Sequence, residues 1–190
     1  TGSIGSACAR LLCRKAGHVR VVGRDAAAVQ RLVDSLGAAV GTVSGATDLS
    51  ALRDADIVVS ATNSAGPLIR PEHLRPGTAV YDLALPPDVS AAVREMGLNV
   101  TVYSGGDVIA PGTPDFGMDF GLPPGHAYAC MAETIALALE GRYERYTLGR
   151  AIAPEQVLTI CAIAERHGFR PAPLRAAGGL VEVPSCAGVV

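Results

Sequence analysis

Two stretches of this 190-residue sequence carry groups suited to chemistry. Gly2 and Gly5 lie three residues apart at the start of a helix-forming segment, which is the spacing of the second and third glycines of the G-x-G-x-x-G dinucleotide fingerprint. Cys130 follows a glycine-rich segment near the start of a predicted helix, with His126 four residues earlier on the same helix face. The first stretch predicts a nucleotide site, and the second offers a candidate nucleophile.

The glycine-rich turn predicts a contact with phosphate. In the fingerprint loop, backbone N–H groups and the helix dipole hold a pyrophosphate. We therefore expect Gly2, Ser3, Ile4 and Gly5 to cradle the pyrophosphate of a dinucleotide. The first glycine of the motif and the central strand that leads to it would precede residue 1, so we expect the chain to be part of a longer protein.

Arg24 predicts which dinucleotide is bound. It follows the predicted strand 18–22, where NAD enzymes use an acidic side chain on the ribose and NADP enzymes often use an arginine on the extra 2′-phosphate. This position favours NADPH as the cofactor. The alternative is a solvated strand end, next to Asp25 as the N-cap of the following helix.

Other residues are candidates for the rest of the cofactor. Thr62 and Asn63 follow an apolar strand, at the edge of the sheet where doubly wound folds bind ligands. They would contact the ribose or the nicotinamide, although turn chemistry explains them equally well. Gly105 and Gly106 follow a later strand and would allow the backbone to approach a ligand closely.

Cys130 has two interpretations from its residue chemistry. The N-terminus of a helix favours a thiolate, and a thiolate beside a nicotinamide is what reduction of an acyl thioester requires. His126 would assist it as a second catalytic residue. The alternative is a small core hydrophobe, which is the commoner situation for a free cysteine.

The alternation of predicted strands and helices indicates an α/β fold: a Rossmann-like, doubly wound, mostly parallel sheet with C-terminal helices. We expect an NADP-binding domain over 1–125, helices carrying the nucleophile over 126–170 and an extended tail over 171–190. Six glycines and four prolines predict a loop over 104–125, and the pattern at 126–140 predicts one continuous helix.

Composition excludes several classes of function. The sequence is 49% hydrophobic and 18% charged, with a net charge of −2, so it lacks the electrostatic footprint of a nucleic-acid-binding protein. Its five cysteines show no C-x-x-C pattern and predict neither a disulfide framework nor a metal site, which favours the cytoplasm. No apolar run approaches the ~20 residues of an integral membrane segment.

Segments 128–134 and 166–171 resemble the C-terminal half of the cyanobacterial long-chain fatty acyl-ACP reductases, which make fatty aldehydes. The resemblance extends through 1–6, 56–59, 81–82 and 104–106. It implies an NADPH-dependent reductase in which Cys130 forms an acyl-enzyme with acyl groups from acyl carrier protein or acyl-CoA. It also marks Asp82 as a cofactor-site residue, and it leaves a homo-oligomeric state open.

Two other functions remain as alternatives. Segments 54–62 and 81–89 also look like the NADPH domain of glutamyl-tRNA reductase or shikimate dehydrogenase, in which case Cys130 would be incidental. The second alternative, from a different class, is a catalytically silent NADP-binding module or partner subunit.

Overall fold

The computed structural model describes residues 2–37, 40–97, 99–112, 114–149, 151–176 and 179–182. These residues fall into two compact units. The first unit takes its residues from Thr1–Ser104 and Gly149–Pro154, and the second from Gly105–Leu148 and Glu155–Val190.

The first unit alternates helices with strands. Its elements are α1 (Ser3–Leu12), β1 (His18–Val22), α2 (Ala26–Ser35), β2 (Thr42–Ala46), β3 (Ile57–Ser60), β4 (Ala79–Asp82), α3 (Ala91–Glu95) and β5 (Thr101–Ser104). Two 3₁₀ helices, Leu49–Asp54 and Pro71–His73, complete the connections. This alternation confirms the predicted α/β class.

All strand pairs of the first unit are parallel among its described residues. β1 pairs with β2, and β4 lies between β3 and β5. Helix α1 contacts both β1 and β3, the edge strands of the two groups. In the doubly wound strand order, one further parallel strand lies between the strands that correspond to β1 and β3. An upstream strand in that position stays a prediction.

Two apolar clusters hold these elements together. One joins α1, α2 and β1 through residues such as Cys13, Val21 and Leu32. The other centres on Val80 of β4 and Val93 of α3, which are 0% and 2% exposed. Full burial of a valine contributes about 1.5–3 kcal/mol, so this second cluster fixes β4 and the segments that follow β3 and β4.

The second unit combines short antiparallel strands with two helices. Its elements are β6 (Asp107–Ile109), β7 (His126–Tyr128), α4 (Ala129–Leu139), α5 (Pro154–Arg166), β8 (Arg170–Pro171), β9 (Leu174–Ala176) and β10 (Gly179–Val181). β6 pairs with β7 on one side and with β8 on the other, and β9 pairs with β10.

Three sequence predictions differ from this arrangement. The helix expected at 126–140 begins only at Ala129, because His126–Tyr128 pairs with β6 as a strand. The loop expected over 104–125 contains β6. The segment expected to be an extended tail supplies β9 and β10, and its residues 177–178 and 183–190 lie outside the described residues. β6 and β7 pair with residues 17 to 21 positions away, which local patterns do not report, whereas β9 and β10 pair with each other.

The core of the second unit packs α4 against α5. Ile163 of α5 is 2% exposed and lies in a cluster with Ala136, Leu137 and Phe169. This cluster orients the start of α4 with respect to the β6–β7 pair, which precedes it directly in the chain.

We predict that Ile163→Ala lowers the free energy of unfolding by about 2–5 kcal/mol, because it leaves a cavity that the packed helices cannot close. Ile57→Ala is the matched control: it removes the same atoms from a side chain that is 58% exposed and should change stability by less than about 0.5 kcal/mol. Urea denaturation followed by circular dichroism measures both. Equal losses in the two variants would contradict this core.

Candidate functional site

The start of α1 presents backbone N–H groups without side-chain partners. Gly2 is the N-cap residue in an extended conformation, no side chain caps the helix, and its first turn holds no acidic residue. A Cβ placed on Gly2 or Gly5 would meet no heavy atom within 4 Å, so the packing of the described residues does not itself require glycine there. The pyrophosphate cradle at Gly2, Ser3, Ile4 and Gly5 stays a prediction.

Arg24 lies directly beyond β1 and is exposed. Across the described ranges its guanidinium makes no hydrogen bond or ion pair. The neighbouring Asp25 is differently engaged: its carboxylate accepts a hydrogen bond from Ala28 N at 3.0 Å as the N-cap of α2. That backbone hydrogen bond lowers the pKa of Asp25. The cation is therefore available to a ligand at this position, and the carboxylate is already bonded.

Thr62 and Asn63 follow β3 at the carboxyl edge of its sheet. Asn63 is exposed, whereas both polar groups of Thr62 bond to the buried Asp88. The Asp88 carboxylate accepts from Thr62 N at 3.0 Å, from Thr62 Oγ1 at 2.5 Å and from Ser60 Oγ at 2.5 Å. The segment after β3 is thus held by a carboxylate that is 0% exposed.

Asp82 ends β4 and is 3% exposed. Its carboxylate accepts from the backbone N–H groups of Ala84, Asp88 and Val89 at 3.2, 3.3 and 3.0 Å. These bonds orient the turn that carries Asp88. Asp82 therefore positions the edge at which a cofactor would lie, and its direct contact with a cofactor stays a prediction.

In the second unit, Gly106 has a φ of +106° and its carbonyl oxygen accepts from Ala129 N at 2.9 Å. This bond joins the Gly105–Gly106 turn to the first residue of α4. The close approach of Gly105 and Gly106 to a cofactor stays a prediction.

The second unit also contains a buried carboxylate that is bonded to a histidine and an arginine. Asp107 has a side chain 4% exposed, and its Oδ2 lies 2.7 Å from His126 Nδ1 and 2.8 Å from Arg175 Nη2. Burial raises the pKa of Asp107, but the hydrogen bonds from His126 and Arg175 outweigh burial and hold that pKa below its usual value. Near neutral pH, Asp107 is therefore ionised, and His126 donates to it through Nδ1.

Cys130 is exposed and is the second residue of α4. The helix has no side-chain cap at Tyr128 and no acidic residue in its first turn, so the dipole faces the thiol without a competing carboxylate in that turn. The premise that His126 and Cys130 share a helix face is wrong, because His126 lies on β7. The catalytic roles of Cys130 and His126 stay predictions.

Sequence reasoning missed Asp88, Asp107 and Arg175. Asp88 looked like a turn residue before a helix, and Asp107 lay within the predicted loop. Arg175 lay in the predicted tail, 68 residues from its partner Asp107. For the network that joins Asp107 and Arg175, the only signal in the sequence was a carboxylate directly after Gly105–Gly106.

Neither a metal centre nor a membrane-crossing helix emerges from the described residues. No group of three or more histidine, cysteine, aspartate or glutamate side chains is arranged there to hold a metal ion. No helix there has the length and apolar character needed to cross a membrane.

Comparisons with known proteins identify the family of the first unit. The family model of shikimate/quinate 5-dehydrogenases matches residues 1–108. Aminotransferase PigE of Serratia sp. (strain ATCC 39006) is 38% identical over 125 residues, which are 64% of this chain and 14% of that protein. The chain thus spans about 14% of the length of this curated relative.

These matches correct the resemblance to the long-chain fatty acyl-ACP reductases, which is wrong. The family model covers the nucleotide-binding residues and ends at residue 108, before Cys130 and the segments 128–134 and 166–171 on which that resemblance mainly rested. The alternative that likened the chain to shikimate dehydrogenase agrees better with the match.

The match covers more than half of the chain and agrees with the parallel α/β unit. The fold is Rossmann-like, and the chain belongs to the shikimate/quinate 5-dehydrogenase family of NADP-binding oxidoreductases.

Proposed function

We propose that the first unit binds NADPH and that the protein is an NADP(H)-dependent oxidoreductase that interconverts a carbonyl compound and the corresponding alcohol. This proposal rests on the bonding of the two side chains that follow β1, Arg24 and Asp25. Arg24 is exposed and available to a phosphate, while the Asp25 carboxylate, which could have accepted from a ribose hydroxyl, caps α2.

Each part of the cofactor has a protein group suited to it. The N–H groups of Ser3 and Ile4 and the dipole of α1 hold the pyrophosphate, and Arg24 pairs with the 2′-phosphate. When bound, the nicotinamide supplies or accepts a hydride. Thr62 and Asn63 orient the ribose or nicotinamide end, and Asp88 keeps Thr62 in place through two hydrogen bonds.

The relative named as an aminotransferase suggests which kind of reaction would consume the carbonyl compound. An aminotransferase moves an amino group onto a carbonyl carbon, so a reaction that delivers an aldehyde or ketone can supply it with substrate. We infer that the product of this oxidoreductase is such a carbonyl compound. A cytoplasmic location and homo-oligomerisation stay predictions.

Cys130 supports a second candidate function, reduction of an acyl thioester to an aldehyde. Its thiol is exposed on the first turn of an uncapped helix. In this reaction the thiolate attacks the carbonyl carbon of an acyl-CoA or carrier-protein thioester and expels the carrier thiol. NADPH, when bound, would supply the hydride that reduces the acyl-enzyme to an aldehyde and restores the Cys130 thiolate.

The first prediction concerns the choice of cofactor. Arg24→Ala should weaken NADPH binding by about 10- to 100-fold and leave NADH binding unchanged, because a hydrogen bond to a charged group contributes about 1.5–3 kcal/mol. Isothermal titration of both cofactors measures this.

Arg31→Ala is the matched control, since it removes the same charge from an exposed position farther along α2. It should leave the preference for NADPH intact. An NADPH preference that survives Arg24→Ala would contradict the role of Arg24, and equal binding of both cofactors by the wild type would contradict NADPH selection altogether.

The second prediction concerns Cys130. Incubation with acyl-CoA in the absence of NADPH should add one acyl group per chain, as measured by intact mass. Cys130→Ala should abolish the adduct, whereas Cys8→Ala should retain it, because burial raises the pKa of the Cys8 thiol and makes it a poor nucleophile. An adduct that persists in Cys130→Ala, or no adduct in the wild type, would eliminate the thioester mechanism and leave the carbonyl–alcohol reaction.

A further inference from the structure

The second unit contains a cavity of about 270 Å³ bordered by the segment that precedes β7. Its lining includes the apolar side chains of Phe116, Met118, Phe120 and Leu122, together with Asp115, Asp119 and His126. With a liquid volume of about 30 Å³ per water molecule, the cavity has room for about nine groups of that size. It is thus slightly smaller than the ~300–1,000 Å³ sites that hold drug-sized ligands.

Two copies of the tetrapeptide pattern Asp-Phe-Gly-apolar build the aromatic wall of this cavity. Asp115 accepts from Gly117 N at 2.8 Å, and Asp119 accepts from Gly121 N at 2.7 Å. Both glycines have a φ of +70°, which a side chain would strain, so the two turns are alike. Each carboxylate is thus bonded within its own turn. The neighbouring side chains Phe116, Met118, Phe120 and Leu122 supply the apolar part of the lining.

The wall is fixed to the rest of the unit. The rings of Phe116 and Phe120 pack edge to face with centroids 5.8 Å apart, and Phe116 also packs against the core around Ile163. Tyr128 Oη donates to Phe120 O at 3.0 Å, and His126 N donates to Pro123 O at 3.0 Å. The cavity is therefore preformed rather than a gap in a loose loop.

His126 contributes an imidazole ring to the lining of the cavity. Its Nδ1 donates to the buried Asp107, and its Nε2 has no protein partner in the parts of the chain that are described. In the neutral ring Nε2 accepts from a hydroxyl group, and in the protonated ring it donates to a carbonyl oxygen. Either form recognises a single oxygen at the end of an otherwise apolar ligand.

We propose that this cavity is a binding site for a small neutral ligand, with an aromatic body against Phe116 and Phe120 and one hydroxyl or carbonyl oxygen on Nε2 of His126. Aromatic contacts of this kind favour edge-to-face and offset packing of a ligand ring, and Met118 adds a polarisable sulfur. The cavity is lined by residues of the second unit, and its occupation does not depend on the proposed function.

The test uses benzyl alcohol and toluene as probes, titrated into the full chain without cofactor and followed by ligand-observed NMR. We expect both to bind saturably and benzyl alcohol to bind about five- to tenfold more tightly, which is the effect of one hydrogen bond of about 1–1.4 kcal/mol. Met118→Asp should abolish binding of both probes, because it replaces part of the apolar lining with a third carboxylate beside Asp115 and Asp119.

Met96→Asp is the matched control, since Met118 and Met96 are 67% and 63% exposed and neither substitution disturbs a buried core. It should leave both affinities unchanged. His126→Ala should remove the preference for the alcohol, whereas His167→Ala should keep it. His167 is a comparable histidine with Nε2 2.8 Å from Glu140, and it does not line the cavity.

Failure of either probe to bind would overturn the proposal, as would unchanged binding in Met118→Asp or an alcohol preference that survives His126→Ala. A separate titration with NADPH distinguishes this outcome from failure of the proposed function. Loss of probe binding with intact NADPH binding rejects the cavity alone, and the reverse result rejects only the cofactor site.

Discussion

The carboxylate of Asp88 is the interaction on which the nucleotide-binding edge depends. It is 0% exposed, and it accepts hydrogen bonds from Ser60 and from both polar groups of Thr62. A buried polar group is costly without hydrogen-bond partners, so the residues that follow β3 are constrained to remain bonded to Asp88. The backbone carbonyl oxygen of Asp88 also accepts hydrogen bonds from Leu68 N and Ile69 N. Asp88 therefore holds both ends of the segment between Thr62 and Leu68.

A second buried carboxylate organises the second unit, with a different chemical outcome. The carboxylate of Asp88 accepts from two hydroxyl groups and one backbone N–H. The role of that network is therefore structural. Asp107 is bonded instead to the ring of His126 and to Arg175, and the imidazole keeps a second nitrogen for a ligand. One type of buried group thus holds the segment after β3 in the first unit and orients a histidine in the second.

Local sequence patterns were sufficient where local interactions determine the structure. The strand His18–Val22 and the helix capped by Asp25 follow from a β-branched run and a capping residue, and both are present as predicted. His126–Tyr128 was wrongly predicted as helix. It forms a strand because it pairs with β6, whose residues lie about 20 positions earlier, and a local pattern does not report such pairing. Asp107 and Arg175 meet only in the folded chain, so no spacing rule could pair them. The resemblance to acyl-ACP reductases failed for a related reason: it depended on short segments beyond residue 108, outside the part that determines the family.

The central claim is that NADPH binds at the N-terminus of α1. Hydrogen–deuterium exchange of the full chain, with and without saturating NADPH, tests it most directly. We expect slower exchange of the amides of Ser3 and Ile4 and of the segment that contains Thr62 and Asn63, because the pyrophosphate and ribose would occupy those donors or cover them. Unchanged exchange at the start of α1 under saturating NADPH would contradict it.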